Sequence, residues 1–72
     1  MELGLYKHYK GNTYQVISVA RHSETLEELV VYKALYDTAD FGYGAMWVRP
    51  KFMFEEVVLV DGLMQKRFEK IE

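Results

Sequence analysis

Short apolar runs separated by turn signals, roughly every eight to twelve residues, constrain this chain more than any single residue does. The most strand-like run is Leu29 to Tyr36 (Leu-Val-Val-Tyr-Lys-Ala-Leu-Tyr), rich in β-branched and aromatic side chains. A run from Tyr14 to Arg21 precedes it, with Ile17, Val19 and Arg21 alternating against Val16, Ser18 and Ala20. Gly4 to Lys10 reads as a first strand, with Leu5, Lys7 and Tyr9 on one side and Tyr6 and His8 on the other. Lys10-Gly11-Asn12-Thr13 turns the chain into the second strand, because glycine and asparagine tolerate positive φ.

Ser23 to Glu28 admits two readings. Thr25-Leu26-Glu27-Glu28 matches a capping box, and Leu26, Leu29 and Val30 have helical spacing. The β-branched run that follows favours a hairpin connection, with at most one helical turn. Asp37 to Gly44 is the main loop, and its Phe41 and Tyr43 are expected either to fold back or to form a contact surface. Ala45 to Arg49 is the fourth strand, and Pro50 ends it because it has no amide hydrogen. Lys51 to Glu55 is a single helical or 3₁₀ turn that offers Met53 and Phe54 to the core. Glu56 to Val60 is a fifth strand, Asp61-Gly62 a hairpin turn, and Met64 to Ile71 a last strand.

These elements predict one all-β domain spanning residues 1–72, a small SH3-like barrel of five to six short strands with one short helical turn. Seventy-two residues leave no room for a second domain. Half of them are hydrophobic, which supplies one core despite the small size. The chain has no cysteine, which excludes disulfides, thiolate metal sites and thiol nucleophiles. Met1-Glu2-Leu3-Gly4 has neither the basic region nor the apolar run of a signal peptide, and no run is long enough to span a bilayer. The expectation is a cytoplasmic protein, a monomer or weak homodimer without membrane attachment or cofactor. A pI near 5.6 disfavours general nucleic-acid affinity.

The chain resembles DUF1653, a family of small, mostly bacterial domains of unknown function. The resemblance is carried by Gly4-Leu5-Tyr6-Lys7-His8-Tyr9-Lys10-Gly11, Tyr14 and Val16, Ala20-Arg21-His22-Ser23-Glu24-Thr25, Val30-Val31-Tyr32, Leu35-Tyr36, Trp47-Val48-Arg49-Pro50, Met53-Phe54, Asp61-Gly62 and Arg67-Phe68. It implies an SH3-type barrel and no activity. The Asp37–Gly44 loop looks longer than is usual for the family, so no role for it follows from the resemblance.

Two groups of residues are candidates for function. Arg21, His22, Ser23, Glu24 and Thr25 form a compact polar cluster. With His8, the residues His22 and Glu24 are the candidates for a small metal-dependent or hydrolytic enzyme. The economical alternative is that Glu24 and Ser23 bond backbone amides of the turn and His22 bonds a neighbouring carbonyl. Ser23 is a poor nucleophile for His22, since neighbouring strand residues point to opposite faces.

The second group is aromatic and basic. Tyrosine and tryptophan favour boundary positions with one face available. Tyr6, Tyr9, Tyr32, Trp47 and Arg49, beside Arg21, His22 and Glu24, are the expected ligand-binding residues. They suit a peptide or protein partner, with single-stranded nucleic acid as the alternative. An Arg49–Glu24 ion pair is the expected bland role for that arginine. The overall expectation is a binding module rather than an enzyme.

Overall fold

The computed structural model describes residues 1–72. The chain folds into β1 (Gly4–His8), β2 (Thr13–Arg21), β3 (Glu28–Ala34), β4 (Asp37–Thr38), β5 (Gly42–Tyr43), β6 (Met46–Pro50), α1 (Lys51–Phe54), β7 (Val57–Val60), β8 (Leu63–Lys66) and β9 (Phe68–Lys70). Five strands form one antiparallel sheet in the order β6-β3-β2-β1-β9, while β4–β5 and β7–β8 are separate two-stranded ladders. The chain is therefore mostly β with one short helix. The strands do not close into a hydrogen-bonded barrel, because β6 and β9 remain edges.

Register decides which side chains share the inner face. Tyr6 stands opposite Tyr14 and Lys70, and His8 opposite Phe68. Val16 stands opposite Tyr32, Tyr32 opposite Trp47, and Val30 opposite Arg49. The β2–β3 register slips between Val16 and Ser18. This bulge returns Val19 to the face of Val16, opposite Val30, and leaves Ile17 half exposed.

Pro50 is tolerated because β6 is an edge strand, and the chain passes straight into α1. That turn folds Phe54 onto the sheet. Phe54 stacks on Phe68 with centroids 4.0 Å apart and planes 5° from parallel, and it meets Tyr6 and Tyr32 edge-on at 5.4 Å. Tyr6, Val16, Val30, Tyr32, Phe54 and Phe68 form the core, with Tyr14 and Trp47 packed against it.

Several expected boundaries move. The third strand stops at Ala34, so Tyr36 leaves the ladder and meets the Tyr14 hydroxyl at 2.8 Å. The expected last strand breaks at Arg67. Its amide donates to the Glu56 carbonyl, and its carbonyl accepts from the Tyr9 amide. β8 is thereby held to the hairpin and β9 passes on to β1. The Asp37–Gly44 loop contains the β4–β5 ladder, clamped by a bond from the Thr38 hydroxyl to the Gly42 carbonyl at 2.7 Å.

No helix and no capping box form between Ser23 and Glu28; a single α-type turn, closed by the bond from the Leu26 amide to the His22 carbonyl, makes the connection. Leu26 adopts a φ of +63°, the Thr25 hydroxyl accepts from the Glu27 amide at 3.2 Å, and Glu28 already belongs to β3. The β-branched ladder opposite β2 outweighs a helical nucleus too short to stand alone.

Candidate binding site

The Arg21–Thr25 cluster is a self-satisfied turn. The His22 Nδ1 accepts from the backbone amides of Glu24 and Thr25 at 3.1 and 3.4 Å. Arg21 donates from Nη1 to the Leu26 carbonyl at 2.9 Å. The backbone closes the same loop, with the His22 amide bonded to the Glu27 carbonyl and the Leu26 amide to the His22 carbonyl. The amides of the corner are thus bonded by His22 and not by the expected Ser23 and Glu24, and Glu24 is left pointing to solvent without an ionic partner.

His8, His22 and Glu24 are not brought together. His8 closes β1 before the first turn, and His22 follows the far end of the nine-residue β2. At about 3.3 Å per residue that strand alone separates them by roughly 25–30 Å. No three His, Asp or Glu side chains converge anywhere in the chain.

The expected ligand-binding residues divide. Tyr6 lies inside the core and donates its hydroxyl to the Glu2 carbonyl at 2.6 Å. Burial pushes its phenol pKa up, with Glu2 and Glu55 adding to the effect. Tyr9 lies beside the His8 ring at 4.5 Å and under Lys10, on a shallow cleft of about 250 Å³ shared with Lys66 and Glu69. That cleft belongs to the β1 end of the sheet.

Tyr32, Trp47 and Arg49 do stand together. β3 and β6 set them on one face, because Tyr32 pairs with Trp47 and the next inward row pairs Val30 with Arg49. The expected Arg49–Glu24 pair is absent. Arg49 instead donates from Nε to the Tyr32 hydroxyl at 3.3 Å, and its guanidinium lies 5.5 Å from the centroid of the Phe68 ring. The reach to Tyr32 is diagonal across adjacent strands, while Glu24 sits out on the hairpin corner.

The rings extend the surface in both directions. Tyr14 meets Tyr32 edge-on at 5.3 Å and Tyr36 at 5.5 Å, and the Tyr14 and Tyr36 hydroxyls bond each other. Burial raises the Tyr14 phenol pKa, and the bond to Tyr36 raises it further, so the Tyr14 hydroxyl stays protonated at neutral pH. At the other end Phe41 folds back from its loop and meets Trp47 edge-on at 5.4 Å, while remaining 68% exposed. Phe41 and Trp47 thus form a two-ring platform on the β6 side of the face.

His8 approaches the same core from β1, edge-on to Phe68 at 4.8 Å. Its pKa is lowered first by burial and then by Arg49, Lys10 and Arg67. Chemically, this face offers aromatic surface, hydroxyl donors and one guanidinium.

Two residues of this face were not assigned to a site by the sequence alone. Phe68 supports Arg49 only because β9 pairs with β1, a contact between the two ends of the chain. Phe41 was legible as an aromatic at a loop tip, but its docking on Trp47 was not.

The profile of the family described as "Protein of unknown function (DUF1653)" matches residues 4–70. The chain belongs to the DUF1653 family. A crystal structure of a DUF1653 protein from Bordetella bronchiseptica is 35% identical and superposes with a TM-score of 0.88, covering 99% of this chain and 87% of that one. None of the curated proteins matches the chain. The fold is thus shared with that DUF1653 protein over nearly the whole length of this chain.

Proposed function

We propose that this DUF1653 domain is a protein-binding module of open SH3-type architecture that takes an extended segment of a partner along β6. The observation that carries this reading is the two-sided character of that edge strand. Trp47 and Arg49 stand on its inner face, next to Phe41. Met46 and Val48, 54% and 62% exposed, stand on its outer face. A strand added to β6 gains main-chain hydrogen bonds from the free edge and places alternate side chains against each of these pairs.

The surface is open rather than cavernous, which suits an extended segment better than a small molecule. A cysteine-free sequence suits a reducing cytoplasm. The domain works without catalysis in this reading, as a monomer that meets its partner through one edge.

The test is a titration of ¹⁵N-labelled protein with strand-forming hexapeptides, followed through the amides of Met46 to Arg49 and the Trp47 indole. Saturable shifts confined to β6, its β3 neighbours and Phe41 are expected. Shifts confined to β9, or none with any peptide at millimolar concentration, overturn the proposal.

A further inference from the structure

We propose that Arg49 is the receptor for a carboxylate carried by the bound segment, with the Tyr32 hydroxyl as a second donor. This rests on the binding-module reading and names the chemistry that the module selects.

The starting point is an arginine without a counter-ion. The chain has four ion pairs: Lys51 with Glu28, Lys51 with Glu55, Arg67 with Glu56, and Lys70 with Glu2. Arg49 takes part in none of them, although it is half-buried. A charge drawn partly out of water without an opposite charge is unfavourable unless neutral groups hold it. Here those groups are the Phe68 ring beneath the guanidinium and the Tyr32 oxygen at Nε.

That support orients the side chain. With Nε engaged, the two terminal nitrogens form the free edge of the fork, and neither is sealed from solvent without a partner. A planar, oriented guanidinium edge matches the two oxygens of a carboxylate. Tyr32 accepts from Arg49, so its own proton is free, and of Tyr14 and Tyr36 only one donates to the other. The surface is thus rich in donors and poor in acceptors, which suits an anion and disfavours a cation or a neutral amide.

The local field agrees. The charged groups that act on the neighbouring His8 are Arg49, Lys10 and Arg67, all cationic, and they help hold its imidazole neutral. A carboxylate is favoured over the phosphates of a nucleic acid because Arg49 is flanked by rings rather than by a track of lysines. The chain also carries a net charge of −2.

Three peptides test this by NMR: acetyl-Thr-Tyr-Val-Glu-Thr-Tyr-amide, its Gln-for-Glu counterpart, and that Gln peptide with a free C-terminus. Inorganic phosphate and a thymidine oligonucleotide are the comparison anions. The Glu peptide should bind about tenfold tighter than its Gln-amide counterpart and shift the Arg49 Nε–H resonance. An advantage for the free C-terminus over its amide also supports the proposal and makes the terminus the source of the carboxylate. Arg49→Lys, which keeps the charge but loses the fork, should lose most of the discrimination. Equal binding of all three peptides overturns the carboxylate role and leaves the module standing. Tighter binding of the oligonucleotide or phosphate than of any acidic peptide overturns it in favour of phosphate. Binding of none of the ligands overturns both readings.

Discussion

Arg49 and Tyr32 are joined by a hydrogen bond of 3.3 Å from Nε to the phenolic oxygen, across the β3–β6 ladder. The bond couples a core residue to the one arginine on the aromatic face. Tyr32 is 5% exposed, so its ring is held rigidly by Tyr14, Phe54 and Phe68, and the guanidinium inherits that order.

Tyr32→Phe keeps the ring and removes the oxygen. It should cost about 1 kcal/mol of stability in denaturant unfolding, the usual worth of such a hydrogen bond. Binding of an acidic peptide should weaken more than binding of its amide counterpart, because the guanidinium loses both its anchor and a co-donor. An unchanged preference for the acidic peptide would separate Arg49 orientation from Tyr32.

Phe68 holds the two ends of the chain together. It stacks on Phe54, pairs with His8 across β1–β9, and lies under Arg49. Phe68→Ala should destabilise by about 3–5 kcal/mol. That is a large part of the roughly 4–11 kcal/mol expected for a chain of this length. Phe68→Leu should retain the fold with a smaller loss. Guanidinium unfolding midpoints check the order of the three proteins, and a Phe68→Ala protein as stable as the parent contradicts this packing account.

The Arg21–Thr25 corner should respond as a turn and not as a site. His22→Ala removes the acceptor for two backbone amides and should cost about 1 kcal/mol, while peptide binding at β6 is unchanged. Glu24→Gln should alter stability by less than about 0.5 kcal/mol, since its carboxylate has no ionic partner. A pH-dependent loss of stability in Glu24→Gln would restore the Arg49–Glu24 pair that the geometry rejects.

Much of this was legible from local pattern. Pro50 followed by a helical turn with Phe54 in the core and the Asp61-Gly62 hairpin follow from residues close in sequence, as does a turn bonded to its own backbone, although His22 takes the amides expected for Ser23 and Glu24. What was not legible depends on pairing between distant segments. Nothing near Phe68 in the sequence points to His8 or Arg49, so neither the break at Arg67 nor the support of the guanidinium could be read. The bulge at Ile17 is a similar case, because an apolar residue on either face satisfies the alternation. Closure into a barrel was inferred from the need to hide edges. The molecule instead leaves β6 and β9 as short edge strands.

His8 predicts a pH dependence of stability. Burial first, then Arg49, Lys10 and Arg67, lower its pKa in the fold. The folded state therefore binds fewer protons than the unfolded chain, whose imidazole titrates near pH 6.5. Stability from this group is fully present above about pH 6.5 and declines as pH falls through the folded pKa. Urea midpoints of the parent should drop between about pH 7.5 and pH 5.5, and His8→Gln should flatten that drop. An equally steep drop in His8→Gln would place the titration elsewhere.

The most direct test of the central claim is a double-mutant cycle between the Arg49 side chain and the ligand carboxylate. It needs dissociation constants for the parent and Arg49→Met, each with the Glu hexapeptide amide and its Gln counterpart. Methionine keeps an apolar stem over Phe68, so the fold is retained while the fork is lost. The account predicts that the preference for Glu over Gln, about tenfold in the parent, disappears in Arg49→Met. If Arg49→Met weakens both peptides by the same factor, the guanidinium does not read a carboxylate and the claim is wrong.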